Sequence, residues 1–135
     1  MASLIDASLW IDFTRARSPA SLKAFIAPEI LSPSACLAEP VAFEVLRFAD
    51  MHEDARIRQQ FASMPLLQSP ADQWMLAANL GQVCRRRGIS CGSLDLLIAT
   101  VAIHHQAELV TFDVDFQRIA TVSTLKVRLL QRPSA

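Results

Sequence analysis

Four acidic residues stand in apolar surroundings along this chain. They are Asp6 in Leu4-Ile5-Asp6-Ala7-Ser8, Glu44 in Phe43-Glu44-Val45-Leu46, Asp95 in Ser93-Leu94-Asp95-Leu96-Leu97, and Asp113 in Val110-Thr111-Phe112-Asp113. A carboxylate among core-forming neighbours is costly to desolvate unless something compensates it. Local cations do not, since Asp95 and Asp113 have no Lys or Arg within three residues on either side. The compensation that suits several converging carboxylates is a hard divalent cation held by oxygen ligands, and Mg²⁺ or Mn²⁺ is the class such a set prefers. Bound ions of this kind neutralise phosphodiester oxygens and activate water. Plainer readings exist one by one: Asp95 as a first-turn helix residue, Asp113 as a turn former, Glu44 as part of a solvent-facing stripe. Asp6, at a strand end, has no equally plain reading.

The elements that must position these residues alternate between strand and helix. Leu4 to Asp6 reads as a short buried strand, followed by a helical turn or two over Ser8 to Thr14. Ser18 as N-cap and Pro19 at the first position open a short helix through Ile26. Pro28 to Pro33 reads as loop, and Ser34 to Ala38 as a second strand. Pro40 opens a helix to about Asp50, and Glu53 to Ser63 is a polar-faced helix. Leu66-Leu67 is a very short strand after Pro65. A long helix opened by Pro70 runs to Arg87, with Trp74, Ala77, Ala78 and Gly81 on one face and Gly88 as its stop. Asp95 begins a helix to about Gln106, Glu108 to Thr111 is a strand, Phe116 to Ala120 a short helix, and Val127 to Leu130 a last strand. This alternation predicts a parallel sheet covered on both faces, with its site beyond the carboxyl ends of the strands, where Asp6 and Asp113 fall.

Composition narrows the class. The 135 residues suit one domain spanning 1–135, and the 52% apolar content supplies a core. No apolar run is long enough for a membrane span, and the chain opens on a strand-like Leu4-Ile5 without a basic region before an apolar segment, so a signal peptide is not expected and a cytoplasmic location is. Three cysteines, Cys36, Cys84 and Cys91, without a C-x-x-C pair, read as reduced thiols, not a disulfide framework or a zinc site. A formal net charge of zero argues against coating nucleic acid by bulk electrostatics, while leaving room for local basic patches at Arg15 and Arg17 or at Arg85 to Arg87. The second has a plainer reading as the solvated end of a helix. His52, His104 and His105 are placed in a polar connection and in mid-helix, so no His-dependent triad competes well. Asp12, Glu29, Glu39, Asp50, Glu53, Asp54, Asp72 and Glu108 read as surface or capping residues, and the apolar stripes of Trp10 and Phe13, and of Trp74, as core or dimer interface.

In four segments the chain resembles the PIN-domain ribonucleases, and within them the VapC-type toxins. These are Leu4 to Asp12, Glu44-Val45-Leu46, Asp95 to Ala102, and Leu109 to Phe116, and they keep the family order over nearly the whole chain. The resemblance implies a three-layer α/β/α sandwich with a central parallel sheet. It implies cleavage of RNA with Mg²⁺ or Mn²⁺, a homodimer, and neutralisation by a small antitoxin. By the motif, Asp6, Glu44, Asp95 and Asp113 are the catalytic and metal-binding acids, Asp115 is an auxiliary ligand, and Ser8 and Thr111 support them. The partner would insert an Arg into the acidic pocket and lay an apolar segment over Trp10 and Phe13. The chain departs from the pattern in having Phe48 where a glycine commonly follows the Glu-bearing helix, and Gly92-Ser93-Leu94 without a basic residue before Asp95.

Other functions are separable. Asp113-Val114-Asp115 is a D-x-D, as in haloacid-dehalogenase phosphatases, but there it follows the first strand and precedes a Thr. A receiver-type signalling domain needs an acidic pair after its first strand, where this chain has the single Asp6. Two alternatives keep the same fold: an RNA-processing nuclease outside a toxin pair, and a PIN-fold scaffold that binds without cutting.

Overall fold

The computed structural model describes residues 1–134. Short segments form four parallel strands, β1 (Ser3–Ile5), β2 (Ala35–Cys36), β3 (Glu108–Thr111) and β4 (Lys126–Leu129); the inner two, β1 and β3, are apolar, and the edge strand β4 alternates charged and apolar residues. Their order is β2-β1-β3-β4, with Leu4 opposite both Cys36 and Leu109 and with Val110 opposite Arg128. Leu4, Ile5, Leu109 and Val110 are fully buried, as central parallel strands must be when helices cover both faces. Among the described residues seven helices complete a three-layer α/β/α sandwich. They are α1 (Ala7–Thr14), α2 (Ala20–Ile30), α3 (Glu39–Arg47), α4 (Met51–Ala62), α5 (Gln73–Arg86), α6 (Ser93–His105) and α7 (Val114–Ala120). All strands point the same way, so Asp6 after β1 and Thr111 at the end of β3 share one edge of the sheet. No helix among the described residues is long and apolar enough to cross a membrane.

Element boundaries differ from the sequence expectation where caps or core anchors outweigh local signals. The loop expected over Pro28 to Pro33 is instead the end of α2, which runs through Pro28 to Ile30. Pro28 has no N–H to give the Ala24 carbonyl, yet Ile26 and Ile30, one turn apart and both buried, hold the last turn against the core. Its N-cap is Pro19, without a side-chain bond, and not Ser18. α4 begins at Met51 and not Glu53 because Asp50 Oδ1 accepts the N–H groups of His52 and Glu53 at 2.9 and 2.8 Å. Glu53 returns the bond from the Asp50 N–H, closing a capping box. α7 begins at Val114 and not Phe116 because Asp113 caps it, accepting the Asp115 N–H at 2.9 Å. α3 starts at Glu39 and stops at Arg47, α5 starts three residues after Pro70, and α6 starts at Ser93, two before Asp95. The expected strand at Leu66-Leu67 is a single bridge from Leu66 to Leu37, β2 keeps two of its five expected residues, and β4 starts one residue earlier.

Burial corrects several assignments. Trp10 is fully buried and meets Phe61 edge-on at 4.9 Å. Trp74, expected in a core or an interface, is 69% exposed, so it is no part of this chain's core. Glu29 and Glu108, expected at the surface, converge on Arg128: Nη1 donates to Glu29 at 2.8 Å and Nε to Glu108 at 3.0 Å, tying α2 to β3 and β4. Asp12 likewise accepts from Arg132 Nε at 2.7 Å. A Cβ at Gly81 would come within 3.0 Å of Leu96 Cδ1, so glycine permits the close seating of α5 on α6, the helix that carries Asp95. Gly88, at φ 72°, ends α5 as expected.

Candidate active site

Three chain segments meet at the carboxyl edge of the sheet. Asp6 leaves β1 and caps α1, and its own N–H donates to the Val110 carbonyl at 2.9 Å, which locks it beside β3. Its Oδ2 accepts the Ser8 hydroxyl at 2.8 Å and the Thr111 hydroxyl at 2.7 Å. Ser8 Oγ in turn accepts the Phe112 N–H at 3.2 Å, and Thr111 Oγ1 accepts the Asp113 N–H at 2.9 Å. Two hydroxyls therefore tie the first acid to the segment bearing the fourth. Asp6 is only 3% exposed, and burial raises its pKa against the opposing effect of these hydrogen bonds.

Asp95 enters from the first turn of α6. One carboxylate oxygen each from Asp95, Asp113 and Asp115 lie within 4.8 Å of one another. Asp6 and Glu44 are outside that triad but close enough for their charges to act on it. Desolvation, and then repulsion from Asp113, Asp6, Glu44 and Asp115, pushes the Asp95 pKa up to about 6. Glu44, half-buried on α3, is raised by burial and by the charges of Asp6 and Asp113, with Arg47 opposing. Asp115 is already paired, accepting Arg118 Nη1 at 2.7 Å. Asp95 and Asp113 have no ion-pair partner among the described residues. An all-oxygen set in which only Asp115 has a cation at hand fits a hard divalent ion.

Two neighbours escaped the sequence reading. Arg118, three residues after Asp115, and Arg47, three after Glu44, are the cations nearest the cluster by helical spacing, a signal the chain does carry. Other chemistries find little support. His52, His104 and His105 are exposed; the last two occupy the final turn of α6 and not its middle, and His105 Nε2 bonds the Gln68 carbonyl at 2.7 Å. Burial pushes the Cys91 thiol up to about 11, far from the range of a nucleophile.

Comparison with known proteins adds to this geometry. A family model described as PIN domain matches residues 3–122. Ribonuclease VapC11 of Mycobacterium tuberculosis is 33% identical over 129 residues, covering 91% of this chain and 95% of that protein. Two solved structures share the fold. VapBC2 from Rickettsia felis, bound to a DNA fragment from its promoter, has a TM-score of 0.72 at 18% identity over 97% of this chain and 100% of that one. A toxin–antitoxin complex from Klebsiella pneumoniae has a TM-score of 0.64 at 24% identity over 85% and 90%.

Proposed function

The chain belongs to the PIN-domain family, and from that premise we propose that it is a metal-dependent endoribonuclease, the toxin of a type II toxin–antitoxin pair. The observation that carries this reading is the meeting of Asp95, Asp113 and Asp115 beside buried Asp6 and half-buried Glu44. Asp6, Glu44, Asp95 and Asp113 are the catalytic acids and the ligands of Mg²⁺ or Mn²⁺, with Asp115 auxiliary. When bound, the ion neutralises the scissile phosphodiester and lowers the pKa of the attacking water. The chain's own part is orientation. Ser8 and Thr111 fix the Asp6 carboxylate and couple it to Asp113, and α6 presents Asp95 to both. Purified protein should cut RNA with Mg²⁺ or Mn²⁺ and stop with EDTA; no cleavage with either ion overturns the assignment.

The partner is an antitoxin that silences the site with a basic side chain. Carboxylates facing one another without metal repel, and a guanidinium relieves that while bonding a carboxylate through its planar fork. Trp10 is buried, so it offers the partner no surface. Phe13, half-buried, lines a cavity of about 240 Å³ with Ile57 between α1, α2 and α4, and Lys23, Glu53, Arg56 and Gln60 line it too, so the partner segment that fits there is an amphipathic helix that sets an apolar side chain against Phe13 and Ile57 and polar ones against the rest. Replacing the inserted Arg of the partner by Ala should leave it bound and RNA cleavage restored; full inhibition by that variant would assign silencing to steric cover alone.

We place the protein in the cytoplasm as a homodimer. Its second copy would cover the surface where exposed Phe43 and Trp74 lie together with Pro40, Leu94 and Leu97. Trp74→Ser should then shift the mass measured by light scattering from dimer to monomer, and an unchanged dimer would move the interface elsewhere.

A further inference from the structure

Of the two basic patches in the sequence, Arg85 to Arg87 sits at the C-terminal end of α5, where the macrodipole accounts for it. The other has no such account. Arg15 and Arg17 are exposed on the connection after α1, and Arg47 is exposed at the end of α3. None of the three has an ion-pair partner among the described residues, whereas Arg58, Arg118, Arg128 and Arg132 all do. Arg15, Arg17 and Phe48 line a cavity of about 340 Å³ together with Ala16, Asp50 and Glu53. The two acids there are committed to backbone. Asp50 caps α4, and Glu53 accepts the N–H groups of Asp50 and of Ala16, the latter at 3.2 Å. That last bond pins the backbone of the Arg15–Arg17 connection to α4, so both arginines leave from a fixed loop. Phe48 is 56% exposed, and the Arg47 guanidinium lies 4.4 Å from its ring centroid.

We propose that the groove of Arg15, Arg17 and Phe48, extended by Arg47, binds the backbone and one base of single-stranded RNA on its way to the acidic site. The inference rests on the nuclease reading above and adds the residues along which the substrate reaches that site. Guanidinia unclaimed by carboxylates are complementary to phosphates, and an exposed ring beside them stacks an unpaired base, the pairing that single-strand binders use. Duplex RNA keeps its bases inside, so it cannot use Phe48. Helix α3 links the groove to the site: Arg47, whose guanidinium lies over Phe48, stands three residues after Glu44, and its charge acts on that carboxylate.

The test uses an unstructured RNA of about 10 nucleotides, a span typical of such grooves, and the full chain. In an Asp95→Asn background, which separates binding from cutting, Arg15→Ala/Arg17→Ala is expected to weaken binding about tenfold. The slope of affinity against salt should fall by about 0.7 for each phosphate the variant no longer neutralises. Phe48→Ala should weaken binding of the single strand and leave duplex binding unchanged. In the active protein the same changes should raise KM and spare kcat, and a dinucleotide too short to reach the groove should be cut at wild-type efficiency. Melting curves check that the variants fold. Unchanged affinity and salt slope in Arg15→Ala/Arg17→Ala overturn the groove while wild-type cleavage keeps the nuclease reading. Loss of antitoxin binding with RNA binding intact gives the groove to the protein partner and overturns the proposal equally. Wild-type protein that binds the RNA through these residues but never cuts it supports the groove and overturns the active site.

Discussion

Asp95→Asn is expected to reduce RNA cleavage by about a hundredfold or more while the metal-free protein melts a few degrees higher. The two effects share one cause. Asp95 is held within 4.8 Å of Asp113 and Asp115 with no cation to offset it, and its pKa is pushed up to about 6 although it lies in the first turn of α6, where the macrodipole favours a negative charge. Asn keeps the shape and removes the charge, so it relieves desolvation and repulsion together. Asp95 is only partly buried and water screens part of the repulsion, so the relief is about 1 kcal/mol, equivalent to roughly 3–5 °C. Cleavage assays and calorimetry on one preparation read both. Wild-type cleavage by the variant would remove Asp95 from the site; a large loss of stability would show that its charge is compensated by something else.

Mn²⁺ or Mg²⁺ is expected to raise the melting temperature, EDTA to reverse the rise, and the rise itself to grow with pH. An ion that binds only the folded state at about a hundred times its Kd adds about 2.7 kcal/mol, roughly 10 °C for a chain of this length. The pH dependence follows from the sign of the Asp95 shift. Its folded pKa of about 6 exceeds the ordinary 3.8, so between these values the folded state binds a proton that the unfolded state has released. Metal-free stability from this group therefore falls as pH rises through that window and levels off above it. Protons compete with the ion over the same range, so the metal-dependent rise should be small near pH 5 and large near pH 7.5. Asp113→Asn should shrink it at both. An equal rise at the two pH values, or none with active protein, would argue that carboxylates do not hold the ion.

Much of the framework was legible in the chain. Leu4-Ile5 and Leu109-Val110 read as buried strands because they carry no polar residue, and alternation with helices implied their parallel pairing. Gly88 marked the end of α5 because only a residue tolerant of positive φ suits that position. Boundaries were less legible where a cap decided them. Asp113 reads as a turn former, yet its bond to the Asp115 N–H starts α7 two residues early. Pro28 reads as a helix breaker, yet buried Ile26 and Ile30 carry α2 past it.

Residue type and spacing by themselves determined that carboxylates follow strands and open helices, because such preferences act within a turn or two of chain. Only the tertiary structure decided which of them meet. The bonds from Thr111 to Asp6 and from Phe112 to Ser8 join residues 105 and 104 positions apart, and Asp95, Asp113 and Asp115 gather across two helices. It also decided that Trp10 is core and Trp74 is surface, since helical periodicity marks an apolar face without saying what covers it. The pKa of Asp95 belongs to this second kind of information. It depends on desolvation and on four other charges, and each of these exists only when parallel strands bring their ends to one edge.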